Sequence, residues 1–416
     1  MNEIHIKRRQ TITNTMGNET IAFVFAGDLI KRSADSHYLF DVSKNFYYLT
    51  GIDEPQAVLV MIKRNDEVKE MLFVRDIDPV MEKWNGKYIT KKQATDISGI
   101  EMVSYLSSFQ STIDRLLSRN ILTKAYVDNE RLTTHDITSE SERFAKTLSK
   151  KWLMSVENLY PMIAAERTIK DEHEIEKIKN AIALTNKAFL HMLANTTSQI
   201  PEYRLQAEFE YILKRHDAKP AFDMIVAASE RACVLHYVTN REMIEPNTLI
   251  LTDMGAQLDH YNSDITRTFP SDGVFSKRQR ELMDVVLEAM ECVFAQCKPG
   301  VTLAELNKIV IDLYQQRLKQ LQIIDQDHEV SQYYYHGVSH FLGLDVHDVG
   351  QLENMKLRSG HVITVEPGLY IEKEKIGIRI EDNVLITQDG YVNLSKEIIK
   401  TPDEIEAFMK QQNTDQ

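Results

Sequence analysis

The 416-residue sequence predicts an α/β N-terminal domain followed by an α+β domain, with the boundary near residues 160–168. Over the first 160 residues, the apolar stretches IAFVFAG (21–27), QAVLVMIK (56–63) and KEMLFVRD (69–76) alternate with polar, charged or turn-forming segments. Between residues 150 and 175 the character changes: Pro161 ends one region, and Asp171 with Glu174 has the spacing of a capping box. Beyond residue 330, GHVITVEPGLYI (360–371) and IGIRIEDNVLIT (376–387) read as strands suited to antiparallel pairing.

In the second part, a helix from Asp171 carries Ile175, Ile178, Ile182, Phe189, Met192 and Leu193 on one face. A second begins at Ser276, with Gln279 three residues on. Its apolar line runs through Leu282, Val285, Ala289 and Val293, and Lys298, Pro299 and Gly300 are expected to stop it. Both stripes read as core-facing. Between the helices, TLILTDMG (248–255) and SDITRTF (263–269) read as strands, joined by the hairpin-length segment 255–262 with its turn formers Gly255 and Asp259.

Composition excludes several classes of function. Forty-nine basic against sixty-two acidic residues give a net charge of −13, the wrong sign for nonspecific binding to nucleic acid. The longest apolar runs are the six residues of IAFVFA (21–26) and AVLVMI (57–62), whereas a membrane span needs about 20. MNEIHIKRRQ at the start has no apolar stretch of an export signal. Cys233, Cys292 and Cys297 form no CxxC pair and suit a reducing compartment. The expectation is a cytoplasmic protein that binds neither nucleic acid nor membrane.

Carboxylates are unusual in strands, so Asp253 and Asp264, one closing and one opening a β-prone run, stand out. Antiparallel pairing brings them side by side. Two clustered carboxylates in a semi-buried site require that one be protonated or that a cation lie between them. The arrangement recurs with Glu366 at a strand end and with Arg379 and Glu381 two residues apart on one face. Between the two sets, HGVSHFLGLDVHDVG (336–350) threads His336, His340 and His347 among glycines. Two acids, a histidine and two more acids form an oxygen and nitrogen set suited to a pair of divalent ions. The competing reading is a structural ion-pair network.

The ordered segments LHY (235–237), TDMGAQLDHYNSDITRTFP (252–270), HGVSHFLGLDVHDVG, TVEPGLY (364–370) and GIRIEDNVLIT resemble the signature of the proline-specific metallopeptidases with the pita-bread fold, of the aminopeptidase P type. The stretch KRSADSHYLFDVSKNFYYLTGIDEPQAVLV (31–60) is similar to the N-terminal domain of those enzymes. The resemblance implies an aminopeptidase P type N-terminal domain over residues 1–165 and a pita-bread (creatinase/aminopeptidase-like) catalytic domain over 166–416. It implies a dinuclear metal-dependent aminopeptidase that cuts between an N-terminal residue and a following proline.

Carried over by position, Asp253 would chelate one ion, Asp264 and Glu381 would bridge both, and His340 with Glu366 would complete the second. Manganese is the implied metal, with cobalt or zinc able to replace it. Glu366 would move the proton, His236, His336 and His347 would line the substrate cleft, and Arg379 would orient a carboxylate. Trp84, in MEKWNGKYIT (81–90), aligns with a tryptophan that reaches a neighbouring subunit's active site in similar enzymes, which implies a homodimer or homotetramer. The expected partners are peptides with proline at the second position.

Two departures from the family pattern stand out. Phe222 replaces a common tyrosine, and Ala227, Ala228 and Ser229 replace a glycine-rich turn, which implies altered rate or substrate choice. The rival readings are an Xaa-Pro dipeptidase (prolidase), a creatinase-like amidinohydrolase working without metal, and a non-catalytic binding module.

Overall fold

Strand alternation organises the first of the two units, Met1–Arg167 and Thr168–Gln416, into which the chain divides in the computed structural model, which describes residues 2–119, 121–130, 138–350 and 354–414. In chain order the first unit comprises α1 (Asn2–Thr15), β1 (Thr20–Phe25), β2 (Lys31–Ser33), β3 (Ser36–His37), α2 (Lys44–Thr50), β4 (Val58–Arg64), β5 (Glu67–Val74), α3 (Met81–Asn85), α4 (Lys91–Ser98), β6 (Val103–Tyr105), α5 (Phe109–Leu117), β7 (Lys124–Val127), α6 (Glu140–Lys151), β8 (Ser155–Asn158) and α7 (Tyr160–Arg167). The predicted strands are β1, β4 and β5. They lie within a six-stranded mixed sheet of order β6-β5-β4-β1-β7-β8. Ile21, Phe23 and Phe25 pack with Val58, Val60, Met71 and Phe73 against Ile113 and Leu117 of α5 and Leu148 of α6. Ala22 and Val24 are buried too, so the central strand reads as one continuous apolar run.

The second unit repeats one order, two helices and then strands. The first half holds α8 (Glu172–Ala194), α9 (Glu202–Arg215), β9 (Lys219–Pro220), β10 (Ile225–Ala228), β11 (Leu249–Met254), β12 (Ala256–Leu258), β13 (Tyr261–Asn262) and β14 (Ile265–Pro270). The second holds α10 (Lys277–Phe294), α11 (Leu303–Gln320), β15 (Val362–Val365), β16 (Gly368–Ile371), β17 (Ile376–Arg379), β18 (Asp382–Ile386) and β19 (Tyr391–Asn393), and α12 (Pro402–Thr414) closes the chain. Capping boxes start α8 at Asp171 and Glu174 and α10 at Ser276 and Gln279. The apolar stripes of both helices are buried, except for Ile175, which is half-buried. The expected stop of α10 at Lys298–Gly300 is corrected. The α-helix ends at Phe294, where Gln296 and Cys297 donate instead to Val293 and Phe294, three residues back, and tighten the chain a turn before the breakers.

The strands β11 and β14 pair antiparallel as expected, but their connection is no plain turn. Residues 256–262 form a hairpin of their own, β12 with β13, closed by Asp259 and His260 at φ of 49° and 69°, as a type I′ turn requires. Gly255 lets the chain leave β11: a Cβ there would lie 2.0 Å from the Ser263 carbonyl oxygen. The register consequently sets Asp253 opposite Thr266 rather than Asp264.

The two halves are joined beneath the site by Arg267, which has no exposed side-chain surface. Its guanidinium pairs with Asp382 at 2.7 Å and donates to the carbonyls of Thr266, Glu381, Ile398 and Ile399. Arg267→Met strips these acceptors of their donor and breaks a buried ion pair. We expect a loss of about 3–5 kcal/mol, read as a fall of roughly 10 °C in the melting temperature of the second unit.

Candidate metal centre

Each acid that the sequence singles out lies at the end of a strand, where backbone pairing fixes the Cα and the side chain projects past the sheet. Asp253 is the penultimate residue of β11, Asp264 immediately precedes β14, Glu366 immediately follows β15, and Glu381 lies between β17 and β18. The segment carrying His340 runs along β15. Glu366 N–H donates to Val338 O, Thr364 N–H to His340 O and Leu342 N–H to Val362 O, all at 2.9–3.0 Å. This backbone pairing brings the imidazole beside Glu366.

Asp264, His340 and Glu381 each offer one ligand atom, and all three atoms lie within 4.8 Å of one another. His340 Nε2 is 3.3 Å from Asp264 Oδ2 and 3.5 Å from Glu366 Oε1, while Nδ1 meets Phe341 O at 3.0 Å. The Phe341 carbonyl thereby holds the ring with Nε2 toward the carboxylates. Asp253 faces the same group from the other side, with its Oδ2 2.7 Å from Arg379 Nη2. The loop itself is pinned by the buried pair Lys170–Asp348 at 2.6 Å.

Burial makes this charge density costly. Asp253 is pushed up to about 6 and Glu366 to about 7, in both cases mainly by burial, partly offset by Arg379 and, for Glu366, more strongly by His340. Burial raises Glu381 well above the ordinary range, with Asp264 and the other two acids adding to it. Burial alone would lower His340, but the hydrogen bond to Asp264 and the charge of Glu366 outweigh it and push the ring up to about 9. Asp253 Oδ1 and Glu381 Oε1 are buried without a hydrogen-bond partner. Orphaned carboxylate oxygens in a set of four acids and one imidazole suit divalent cations better than a closed ion-pair network.

The remaining predicted residues take varied positions. His336 Nε2 meets the Tyr370 hydroxyl at 2.8 Å, and its Nδ1 is 3.8 Å from Glu366 Oε2. Burial and the Arg379 charge depress it to about 4. His347 is exposed, its ring centroid 4.4 Å from that of His340, and desolvation with the His340 charge lowers it. His236 is exposed, and its charge bears on both His336 and His347. Arg379 is buried and engages Thr266 (3.1 Å), Tyr370 (3.0 Å) and Asp253, all within the protein rather than on a free face. Phe222 is half-buried, and a Cβ at Gly255 would touch its ring. Trp84 belongs to the first unit, on α3, which buries none of its residues, and is 81% exposed.

Sequence reasoning missed Thr266, Asn383 and Tyr370. Thr266 Oγ1 donates to Glu381 Oε2 at 2.7 Å, and the Asn383 amide exchanges two hydrogen bonds with the backbone of Asp264, at 2.6 and 3.1 Å. Two-residue spacing is the signal that could have found two of them: Thr266 follows Asp264, and Asn383 follows Glu381, by one strand repeat.

Comparison with known proteins agrees with this geometry. The model of Metallopeptidase family M24 matches residues 176–388, and that of the aminopeptidase P N-terminal domain matches residues 5–124. The Xaa-Pro aminopeptidase of Escherichia coli K12 is 34% identical over 428 residues, covering 97% of this chain and 96% of that protein. Among solved structures, a chain assigned as an aminopeptidase P from Bacillus anthracis superposes with a TM-score of 0.97 at 42% identity, over 99% of each chain. Aminopeptidase P from E. coli with the inhibitor Pro-Leu superposes with a TM-score of 0.91 at 32% identity, over 100% of this chain and 99% of that one. A zinc-substituted form of it has been solved with product. The predicted α/β domain followed by an α+β pita-bread domain is the fold observed.

The raised carboxyl groups and His340 hold protons in the metal-free protein that an incoming cation must displace. Loading with manganese at pH 6 is therefore expected to release roughly two or more protons, fewer at pH 8, where Asp253 and Glu366 have already ionised. The dependence of the calorimetric binding enthalpy on the buffer's ionisation enthalpy measures this number.

Proposed function

The chain belongs to Metallopeptidase family M24, and on that premise we propose that it is a metal-dependent Xaa-Pro aminopeptidase, removing an N-terminal residue that precedes proline from peptides. The observation that carries this reading is the convergence of Asp264, His340 and Glu381 within 4.8 Å, with Glu366 3.5 Å from the imidazole and Asp253 presenting an orphaned oxygen. Likeness to Xaa-Pro aminopeptidases over both domains favours this over a prolidase. All five acid and imidazole ligands are present, which disfavours a metal-free amidinohydrolase or a degenerate binding module.

In this reading Asp253, Asp264, His340, Glu366 and Glu381 hold two divalent ions, manganese in preference, with cobalt or zinc able to substitute. Such ions, when bound, polarise a carbonyl and make water a nucleophile near neutral pH. Glu366 accepts the proton of the attacking water and delivers it to the proline nitrogen as the bond breaks. His347 stabilises the developing oxyanion, and His236 holds the substrate carbonyl. His336 completes the cleft, with its Nε2 already accepting from Tyr370.

Arg379 acts as a positioning residue for Asp253, because its guanidinium is spent on Asp253, Thr266 and Tyr370. An amide to proline has no N–H, so recognition rests on the carbonyl and the ring rather than on that donor. We place the domains at residues 1–165 and 166–416, the protein in the cytoplasm, and Trp84 at a subunit contact of a homodimer or homotetramer, which its exposure supports. Among the described residues no helix is long and apolar enough to cross a membrane.

The manganese-loaded protein is expected to release the first residue of an Xaa-Pro-Xaa tripeptide and to stop when a chelator is added. Product analysis by mass spectrometry checks this, and cleavage of an Xaa-Pro dipeptide alone would make the enzyme a prolidase. Asp264→Asn is expected to lower the metal content from two ions to about one and to cut turnover by at least about a hundredfold, because a neutral amide bridges two cations poorly. Metal analysis alongside kinetics checks both.

A further inference from the structure

Besides Asp382, Glu202 is a fully buried carboxylate outside the predicted ligand set. Glu202, the first residue of α9, has a side chain with no exposed surface, and its two oxygens accept four hydrogen bonds, all from residues 228–242. Oε1 accepts from Ala228 N–H at 3.0 Å and Arg231 Nε at 2.7 Å. Oε2 accepts from the Tyr237 hydroxyl at 2.8 Å and Glu242 N–H at 3.2 Å. Its own backbone N–H donates to Glu242 O at 2.9 Å, and Arg231 Nη2 continues to Met243 O at 3.2 Å. The segment so gathered has no helix or strand between Cys233 and Leu249, yet it contains His236 beside the clamped Tyr237.

An irregular loop owes its shape to such contacts, since it lacks a ladder of its own. Here both ends and the middle of the loop converge on one carboxylate. We propose that Glu202 is a positioning residue, which sets the course of the 229–243 loop and thereby aims His236 into the cleft. The inference rests on the reading of His236 as a substrate-holding group.

The chemistry of the clamp fixes the test. In Glu202→Gln the side chain keeps its shape, but its NH2 group must face donors. Ala228 N–H and Arg231 cannot turn round, whereas the Tyr237 hydroxyl can, so the amide nitrogen turns toward Tyr237 and leaves Glu242 N–H unpaired. The damage falls next to His236.

Hydrolysis of an Xaa-Pro-Xaa tripeptide is compared for manganese-loaded wild type, E202Q, H236A and the double variant. E202Q is expected to lower kcat/KM by about tenfold, mainly through KM, with full metal content, and to add no further loss in the H236A background. Losses that multiply, lost metal, or wild-type kinetics in E202Q would overturn the proposal. Tyr237→Phe removes one hydroxyl without unpairing a backbone group, so it guards against misfolding. Its loss, about threefold, should be equally non-additive with H236A.

Turnover is not the only readout. In zinc-loaded protein with 13C-labelled histidine, E202Q should shift the His236 ring signals and leave those of His340 in place, and unmoved His236 signals overturn the proposal. An inactive wild type would refute the peptidase reading, while the His236 signals would still decide this inference. An H236A variant with wild-type kinetics would overturn the proposal through its premise.

Discussion

Everything in the second unit answers to one electrostatic constraint: Asp253, Asp264, Glu366 and Glu381 share a buried space with one imidazole and one guanidinium. Carboxylates that close cannot all be ionised in a low dielectric without cations, and the raised proton affinities of Asp253, Glu366 and Glu381 express that cost in the metal-free chain. The fold carries the cost because it places the acids where backbone pairing leaves them no escape. Each lies at or next to the end of a strand whose register is set by burial of its apolar neighbours. Metal binding converts this frustration into cohesion.

Neutral groups and one arginine keep the acids apart until then. Thr266 donates to Glu381 and accepts from Arg379, so one hydroxyl spaces an acid from a base. Asn383 ties the backbone of Asp264 to the strand that follows Glu381, across 119 residues of sequence. Arg267 works one layer below, holding the Glu381 carbonyl at 2.6 Å. The two halves of the domain are thus joined closest to the site by buried polar contacts, among which the Arg267 guanidinium has a partner for each of its three nitrogens, the condition for such a group to rigidify rather than destabilise.

The histidine-bearing loops show a second device. Neither contains a helix or a strand of its own, and beside the backbone pairing of the first with β15 each is pinned by a buried charge: Lys170 with Asp348 for the loop of His340 and His347, and Glu202 for the loop of His236. Close packing reinforces the first pin. A Cβ at Gly343 would come within 2.3 Å of Asp348 Oδ2, so that loop has no slack for a larger residue.

Locally encoded features were legible in the sequence by itself. The capping boxes at Asp171 and Ser276 and the short apolar runs of β1, β4 and β5 depend on residues close to each other in sequence. The acids were legible because carboxylates are out of place in β-prone runs, and the resemblance to proline-specific metallopeptidases rests on the same segments. Only the tertiary structure decided what the side chains do to one another. It turned Arg379 onto Asp253, set Asp253 opposite Thr266 through an unforeseen type I′ hairpin, ended α10 a turn early, and gathered the His236 loop onto Glu202. Partners separated by 113 to 126 residues leave no periodic trace for a single sequence to show. Their pairing comes from burial, which favours partners within the protein for groups that water no longer reaches.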